Sequence, residues 1–269
     1  MQDQCTNRDL RCDEVNEHIT LTQLSDGLTF GTDAYLLAAY VKAKKNALAA
    51  DLGSGTGIIP LLCLSRNKFA FCTAAEIQST FCDLIKKNAA DNGFEDRLSV
   101  YAGDIRNLSP SLLGRELDIV TANPPYMAVG SGVGNQAPEK YAARHEINGG
   151  IQDFCAAAGR LLKHGGKFYC VFRPERLGDL LQGLRKASLE PKRMTFVHAT
   201  VGAQPSMLLM EATKGAAPSL ICTPPLILWE SGKDDPSRPT SPMVPTTDSV
   251  YIYENCAFPP SFLGGNRSK

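Results

Sequence analysis

The chain has 269 residues, of which 43% are apolar and 21% charged, the balance of an ordinary globular protein and not of a disordered or fibrous one. Its 28 basic and 28 acidic residues cancel, so bulk charge draws it to neither nucleic acid nor an acidic surface, and any such binding needs a local basic face. No apolar run is long enough to span a bilayer and no basic-then-apolar start resembles a secretory signal, which predicts a cytoplasmic protein without membrane contact. Nine cysteines are scattered without a C-x-x-C pair or a Cys/His cluster. They read as reduced, mostly buried thiols, and no metal site is expected.

In chain order, residues 1–27 read as an N-terminal extension in which Ile19, Leu21 and Leu24 alternate with polar positions, as in a short strand or hairpin. Leu28-Thr29-Phe30-Gly31-Thr32-Asp33 then leads into a helix from Ala34 to Tyr40. Thr32 or Asp33 can cap that helix, and the same turn can instead touch a ligand. From residue 47 strands and helices alternate: strands are predicted over 47–52, 69–76, 98–102, 117–122 and 167–172, with helices over 58–64, 80–92, 151–162 and 174–189. Two last strands, 192–199 and 207–212, are joined by too short a loop for a crossover helix, so one of them runs antiparallel. The pattern implies an α/β fold, a mostly parallel seven-stranded sheet with helices on both faces, within a domain of residues 28–230. Residues 127–150 form a long glycine-containing link, readable as a binding loop or as disorder. Residues 231–269 are a linker rich in proline, serine and threonine followed by a tail, in which Tyr251-Ile252-Tyr253 and Phe258-Pro259-Pro260 can dock back on the domain.

Ligands in such sheets bind beyond the carboxyl ends of the strands, and Asp51, Glu76, Asp104 and Asn123 all fall there. The first strand ends in Asp51-Leu52-Gly53-Ser54-Gly55-Thr56-Gly57, a G-x-G-x-G spacing that differs from the dinucleotide fingerprint and from a P-loop. Its glycines let the backbone approach a ligand closely. Glu76 is placed to accept from two ribose hydroxyls, and Asp104 to reach an adenine amine, which together describe a nucleoside site without a phosphate anchor. The run Thr121-Ala122-Asn123-Pro124-Pro125-Tyr126 ends the fourth strand. A double proline stops both ladder and helix, leaving the Asn123 amide oxygen and the Pro124 carbonyl as acceptors beside the flat face of Tyr126, where a planar amine fits. The plainer alternative is a strand terminator without chemistry. Between Arg160 and Arg193 basic residues outnumber acidic ones, which makes either a basic face or an ordinary solvated helix.

These motifs in this order resemble the class I S-adenosylmethionine-dependent methyltransferases that act on planar amines, with a Rossmann-like fold. Within that class Phe30-Gly31-Thr32-Asp33, Ala143-Arg144-His145-Glu146 and the stretch from Glu190 to His198 are similar to the bacterial tRNA1(Val) adenine-N6 methyltransferases. The resemblance implies S-adenosylmethionine as cofactor, bound by Phe30, Gly31, Thr32, Asp33, Asp51, Gly53, Gly55, Gly57, Glu76, Ile77, Asp104, Ile105 and Asn123. It implies Asn123, Pro124, Pro125 and Tyr126 as catalytic residues, and Arg144, His145, Lys192 and Arg193 as contacts to a tRNA substrate, methylated by a monomer at the anticodon-loop adenine 3′ of the anticodon. A glutamine side chain of a protein such as a release factor is an alternative substrate, being a planar amide with an NH2. A non-catalytic RNA-binding protein on the same scaffold is a third reading. The proline-rich segment 231–249 departs from the family pattern.

Overall fold

The computed structural model describes residues 9–25, 31–126, 149–230 and 243–263. The chain begins as an antiparallel hairpin, β1 (Leu10–Asn16) and β2 (Ile19–Leu24), whose Ile19 and Leu21 enter the core. Helix α1 (Thr32–Tyr40) follows, buried from Ala34 onwards. It is apolar around nearly its whole circumference, which suits a helix enclosed on all sides. Next come β3 (Leu48–Leu52), α2 (Ile58–Ser65), β4 (Phe71–Glu76), α3 (Ser79–Asp91), β5 (Leu98–Ala102), the single turn α4 (Pro110–Leu113) and β6 (Leu117–Ala122). Beyond Gly150 the chain forms α5 (Ile151–Leu161), β7 (Leu162–Phe172), α6 (Leu177–Lys186) and the long hairpin of β8 (Leu189–Thr200) with β9 (Pro205–Lys214).

Across the sheet these strands lie in the order β5-β4-β3-β6-β7-β9-β8, all parallel except β9. The expected antiparallel strand is thus β9. The expected seven strands become nine, because β10 (Ile221–Cys222) and β11 (Leu226–Trp229) add in parallel to the outer edge of β8. Two and four residues beside prolines are too short to show a strand period in the sequence, and it is the open edge of a twelve-residue strand that recruits them.

Successive strand residues point to opposite faces, and the cores divide accordingly. Ala49, Ile119 and Tyr169 pack with α1, α2, β2 and residues of the C-terminal tail, whereas Ala50, Val120 and Cys170 pack with α5 and α6. The tail completes the first core. Thr246 N–H donates to the Leu228 carbonyl, α7 (Thr247–Asn255) follows, and the Tyr35 hydroxyl donates to the Tyr253 carbonyl at 2.7 Å. Phe258 packs edge-on against Tyr40 with ring centres 5.0 Å apart, and Phe262 stacks behind it. Arg193, 2% exposed, joins these parts from inside: it donates to the Tyr40 carbonyl, to Glu211 and to the Phe262 carbonyl, with its guanidinium 3.6 Å from the Tyr40 ring centre.

Two polar clamps fix the glycine loop after β3. The Thr121 hydroxyl donates to Asp51 Oδ1 and the Ser54 hydroxyl to Oδ2, both at 2.6 Å, tying the ends of β3 and β6 together. Asn88, fully buried on α3, donates to the carbonyls of Thr22 and Thr56 and accepts from Thr22 N–H, which joins hairpin, helix and loop. Burial pushes the Asp51 carboxyl up to about 7, against the lowering effect of its two hydroxyl donors.

Arg193→Ala is expected to destabilise the fold by about 3–5 kcal/mol, at the low end because Lys42 and Lys167 still pair with Glu211. A denaturant melt showing a loss below about 1 kcal/mol, the scale of exposed pairs, would contradict the interior role. For Asp51 the folded carboxyl ionises above its unfolded value of about 3.9. Its contribution to stability is therefore fully present below pH about 4 and lost as pH rises through about 7. Asp51→Asn should flatten that part of the stability–pH curve, and an unchanged slope between pH 4 and 7 would exclude the buried carboxyl as its source.

Candidate active site

The strand order reverses between β3 and β6, with Leu52 level with Ala122, so the segments leaving these two strands diverge and open a crevice. A cleft of about 880 Å³ lies there, within the range of about 300–1,000 Å³ usual for small-molecule sites. Each strand end supplies part of its wall: Gly53 to Thr56 after β3, Glu76 and Ile77 after β4, Gly103 to Ile105 after β5, Asn123 to Tyr126 after β6, and Arg173, Glu175 and Arg176 after β7. Gly31 and Asp33, at the start of α1, face them.

The glycine loop holds Gly53, Gly55 and Gly57 at φ of +68°, +55° and +83°, a region that glycine alone enters without cost. A side chain on Gly53 would press on the Phe154 ring at 3.3 Å, while at Gly55 nothing lies within 4 Å, so the backbone there is bare towards the cleft. Glu76 is nearly buried and accepts from the N–H groups of Gly55, Ile77 and Gln78 at 2.9–3.0 Å. Burial raises its carboxyl above the ordinary value, and the three N–H donors partly offset this. Of the about four lone-pair sites of the carboxylate three are thus taken, which leaves one, on Oε2, for a ligand hydroxyl. Asp104 is held differently, gripped by the Arg106 guanidinium at 2.9–3.0 Å, which lowers its carboxyl below the usual range.

At the other end of the cleft Asn123, Tyr126 and Asp33 form a closed group. Asp33 Oδ2 accepts from Asn123 Nδ2 at 3.0 Å and from the Tyr126 hydroxyl at 2.7 Å, and that hydroxyl also approaches Asn123 Oδ1. Burial, and then the neighbouring Asp33 charge, raise the Tyr126 phenol well above its usual value, so it stays a proton donor. The Arg173 guanidinium lies 5.0 Å from the centre of the Tyr126 ring, and Arg176 donates to the Tyr126 carbonyl.

The cleft thus brings together Gly31, Asp33, Gly53, Gly55, Glu76, Ile77, Asp104, Ile105 and Asn123 to Tyr126. Other expectations need correction. Asp51 is committed to Ser54 and Thr121 in the interior, Gly57 serves as the N-cap of α2, and Thr32 is exposed, so none of the three is on the cleft wall. The N-cap position of α1 is Gly31 and not Thr32 or Asp33, although Asp33 Oδ1 does accept from the first-turn N–H of Ala34. Arg193 is sealed in the core and cannot meet a substrate, and Lys192 spends its ammonium on the Ala217 carbonyl and Ser219. Phe30, Arg144 and His145 lie outside the described residues. Arg173 and Arg176 were missed. The available signal was position, since they follow the carboxyl end of β7 as Glu76 and Asn123 follow theirs.

The geometry has relatives. The methyltransferase small domain family matches residues 25–182. The tRNA1(Val) (adenine(37)-N6)-methyltransferase of Parabacteroides distasonis is 30% identical over 190 residues, spanning 70% of this chain and 78% of the relative. The protein of the same name from Porphyromonas gingivalis strain W83 is 29% identical over 199 residues, with 71% and 76% covered. Among solved structures, a predicted O-methyltransferase from Agrobacterium tumefaciens shares the fold with a TM-score of 0.65 at 21% identity, covering 85% of this chain and 98% of that one. An M. jannaschii tRNA m1G37 methyltransferase does so at 0.55 and 16%, covering 78% and 58%. By its family match, its sheet order and its cleft, the chain belongs to the methyltransferase small domain family and is a class I, S-adenosylmethionine-dependent methyltransferase.

Proposed function

We propose that the enzyme methylates N6 of an adenine in RNA, and that the target is the anticodon-loop adenine 3′ of the anticodon in tRNA(Val). The observation that carries this reading is the state of Asn123. With its amide nitrogen bonded to Asp33, its oxygen, which also meets the Tyr126 hydroxyl, is the end that can accept from a substrate, on the cleft wall and beside an aromatic ring. An exocyclic adenine amine is planar and weakly nucleophilic because its lone pair is delocalised. If Asn123 Oδ1 and the Pro124 carbonyl accept its two hydrogens, the nitrogen is drawn towards a tetrahedral, more nucleophilic form, a contact that strengthens in the transition state.

The cofactor supplies an electrophilic methyl group on sulfur. For its nucleoside part, Glu76 would accept from a ribose hydroxyl through Oε2, Ile77 and Ile105 would flank the base, Asp104 would stand near the base amine, and the bare backbone at Gly55 would admit close approach. The cleft volume, the open Gly55 and the pre-fixed Glu76 fit such a group. Gly31 stands on the far side of the cleft. Tyr126 offers a face for the extruded base, worth about 1–3 kcal/mol of stacking, and a single-stranded loop lowers the cost of extrusion. Arg173 and Arg176 in the same cleft suit a phosphodiester better than a neutral peptide, and the names of the relatives support tRNA as the class of substrate.

Asn123→Ala is expected to lower kcat by about 10²–10³ while cofactor affinity stays within about threefold. Equal loss in both would remove Asn123 from the amine. Glu76→Ala should do the reverse, weakening S-adenosylmethionine by about tenfold or more, and an unchanged Kd would take it off the ribose. The substrate is tested by supplying labelled S-adenosylmethionine with unmodified tRNA(Val) and, separately, with a release factor. The expected product is N6-methyladenosine at the position 3′ of the anticodon; label in the protein would instead establish a glutamine methyltransferase, and label at another adenine would overturn the site assignment.

A further inference from the structure

The Tyr126 hydroxyl has one proton and two acceptors. Asp33 Oδ2 lies 2.7 Å away, and Asn123 Oδ1 lies closer still. The second of these is the atom that an incoming amine must use. We infer that Asp33 is a positioning residue for the transfer step: as the charged and stronger acceptor it competes with the nearer Asn123 Oδ1 for the Tyr126 proton while it holds Asn123 Nδ2, so that the amide oxygen becomes available to the substrate amine. This inference rests on the amine-methylation reading of the cleft and adds to it a residue acting through two others.

The frame that delivers the carboxylate is rigid. Asp33 Oδ1 accepts from Ala34 N–H at 2.9 Å, which orients the carboxylate plane, and α1 is buried from Ala34 to Tyr40. The preceding residue must be small. Gly31 has an extended backbone, φ −106° and ψ 175°, that any residue can adopt, yet a Cβ there would stand 2.6 Å from Asp33 Oδ1. Gly31 is therefore needed for the space that the carboxylate occupies and not for its backbone freedom. Both Gly31 and Asp33 thus serve one placement, that of a single anionic acceptor shared by an amide N–H and a phenol O–H.

Without the carboxylate, the Tyr126 hydroxyl has Asn123 Oδ1 as its remaining acceptor in this group and competes with the substrate for it. That competition gives a signature that a structural role does not produce. Asp33→Ala should lower kcat/KM for the methyl acceptor by about ten- to a hundredfold, the loss of one charged hydrogen-bond partner, with S-adenosylmethionine affinity within about twofold. Tyr126→Phe keeps the ring and should cost less than Asp33→Ala. The double variant D33A/Y126F, lacking the competing hydroxyl, should turn over faster than D33A alone. Asp33→Asn, which keeps the volume beside Gly31, should melt with the wild type and fall between wild type and D33A. A double variant slower than D33A, or a cofactor Kd that weakens in step with turnover, would overturn the inference. The comparison is made on whichever planar amine the wild-type enzyme methylates. Wild-type turnover on a glutamine amide would then refute the adenine reading, while the order of D33A and D33A/Y126F decides the role of Asp33 separately.

Discussion

The bond from the Thr121 hydroxyl to Asp51, 2.6 Å long and buried, holds together the two strand ends on which the site depends. Right-handed crossovers carry β4 and β5 to one side of β3 and place β6 and β7 on the other, so the glycine loop and the Asn-Pro-Pro-Tyr turn leave adjacent strands and part company. Backbone pairing brings Asp51 level with Thr121, and the side-chain bond reaches across that register. The same carboxylate takes the Ser54 hydroxyl, so one buried acid sets the path of the cofactor-side loop and the root of the transfer-side turn. Asp51 thus affects the cleft without touching it.

A second constraint reaches the cleft from the opposite face. Helix α1 begins at the site with Asp33 and ends against the core with Tyr40, and most of its length is enclosed. Lys68 satisfies its last carbonyls, donating to Ala38, Ala39 and Val41. Around Tyr40 gather Arg193, Phe258 and the Phe262 carbonyl, so the C-terminal tail braces the far end of the helix that presents Asp33. Distance from the chemistry is therefore a poor guide to the consequence of change there. Loosening the tail loosens the anchor of α1, and a carboxylate that must share two donors within 3.0 Å tolerates little movement.

The parts of the site that the sequence made legible are those whose chemistry is local. A glycine loop after a strand, an acid at the end of the next strand and a double proline after a buried run each have a meaning that does not depend on distant partners, and Gly53, Gly55, Glu76 and Asn123 all stand on the cleft wall. The errors concern side chains whose role depends on which way they face. Asp51 and Glu76 are both acids near strand ends, but Asp51 meets two hydroxyls in the interior and Glu76 meets three backbone N–H groups at the rim. Arg193 sits in a basic stretch that suggests an outer surface; only the pairing of β8 with β9 shows that it meets Glu211 within the fold. Asp33 carries the composition of a helix cap and does give Oδ1 to a first-turn N–H, but its Oδ2 serves Asn123 and Tyr126, some ninety residues away, which no local pattern shows.

The same accounting bears on the RNA substrate proposed for a chain of zero net charge. The basic stretch from Arg160 to Arg193 is largely occupied by the fold itself: Arg160 binds the carbonyls of Ile105, Arg106 and Leu108, Lys163 pairs with Asp118, Lys167 and Arg193 with Glu211. Although burial pushes the Glu211 carboxyl up, Lys167 and then Arg193 hold it below its ordinary value, so those cations are fully engaged there. Arg173 is different. Among the described residues it has no carboxylate partner, only the Ser206 carbonyl and the face of Tyr126. On the proposed reading it stands next to the ring on which a flipped base would stack. Arg173 is itself exposed, so any contribution it makes to RNA binding is expected to weaken with salt. On the proposed reading, with few cations left unengaged by the fold, a substrate that already presents an unpaired base, as an anticodon loop does, is favoured over a duplex because extruding its base costs less.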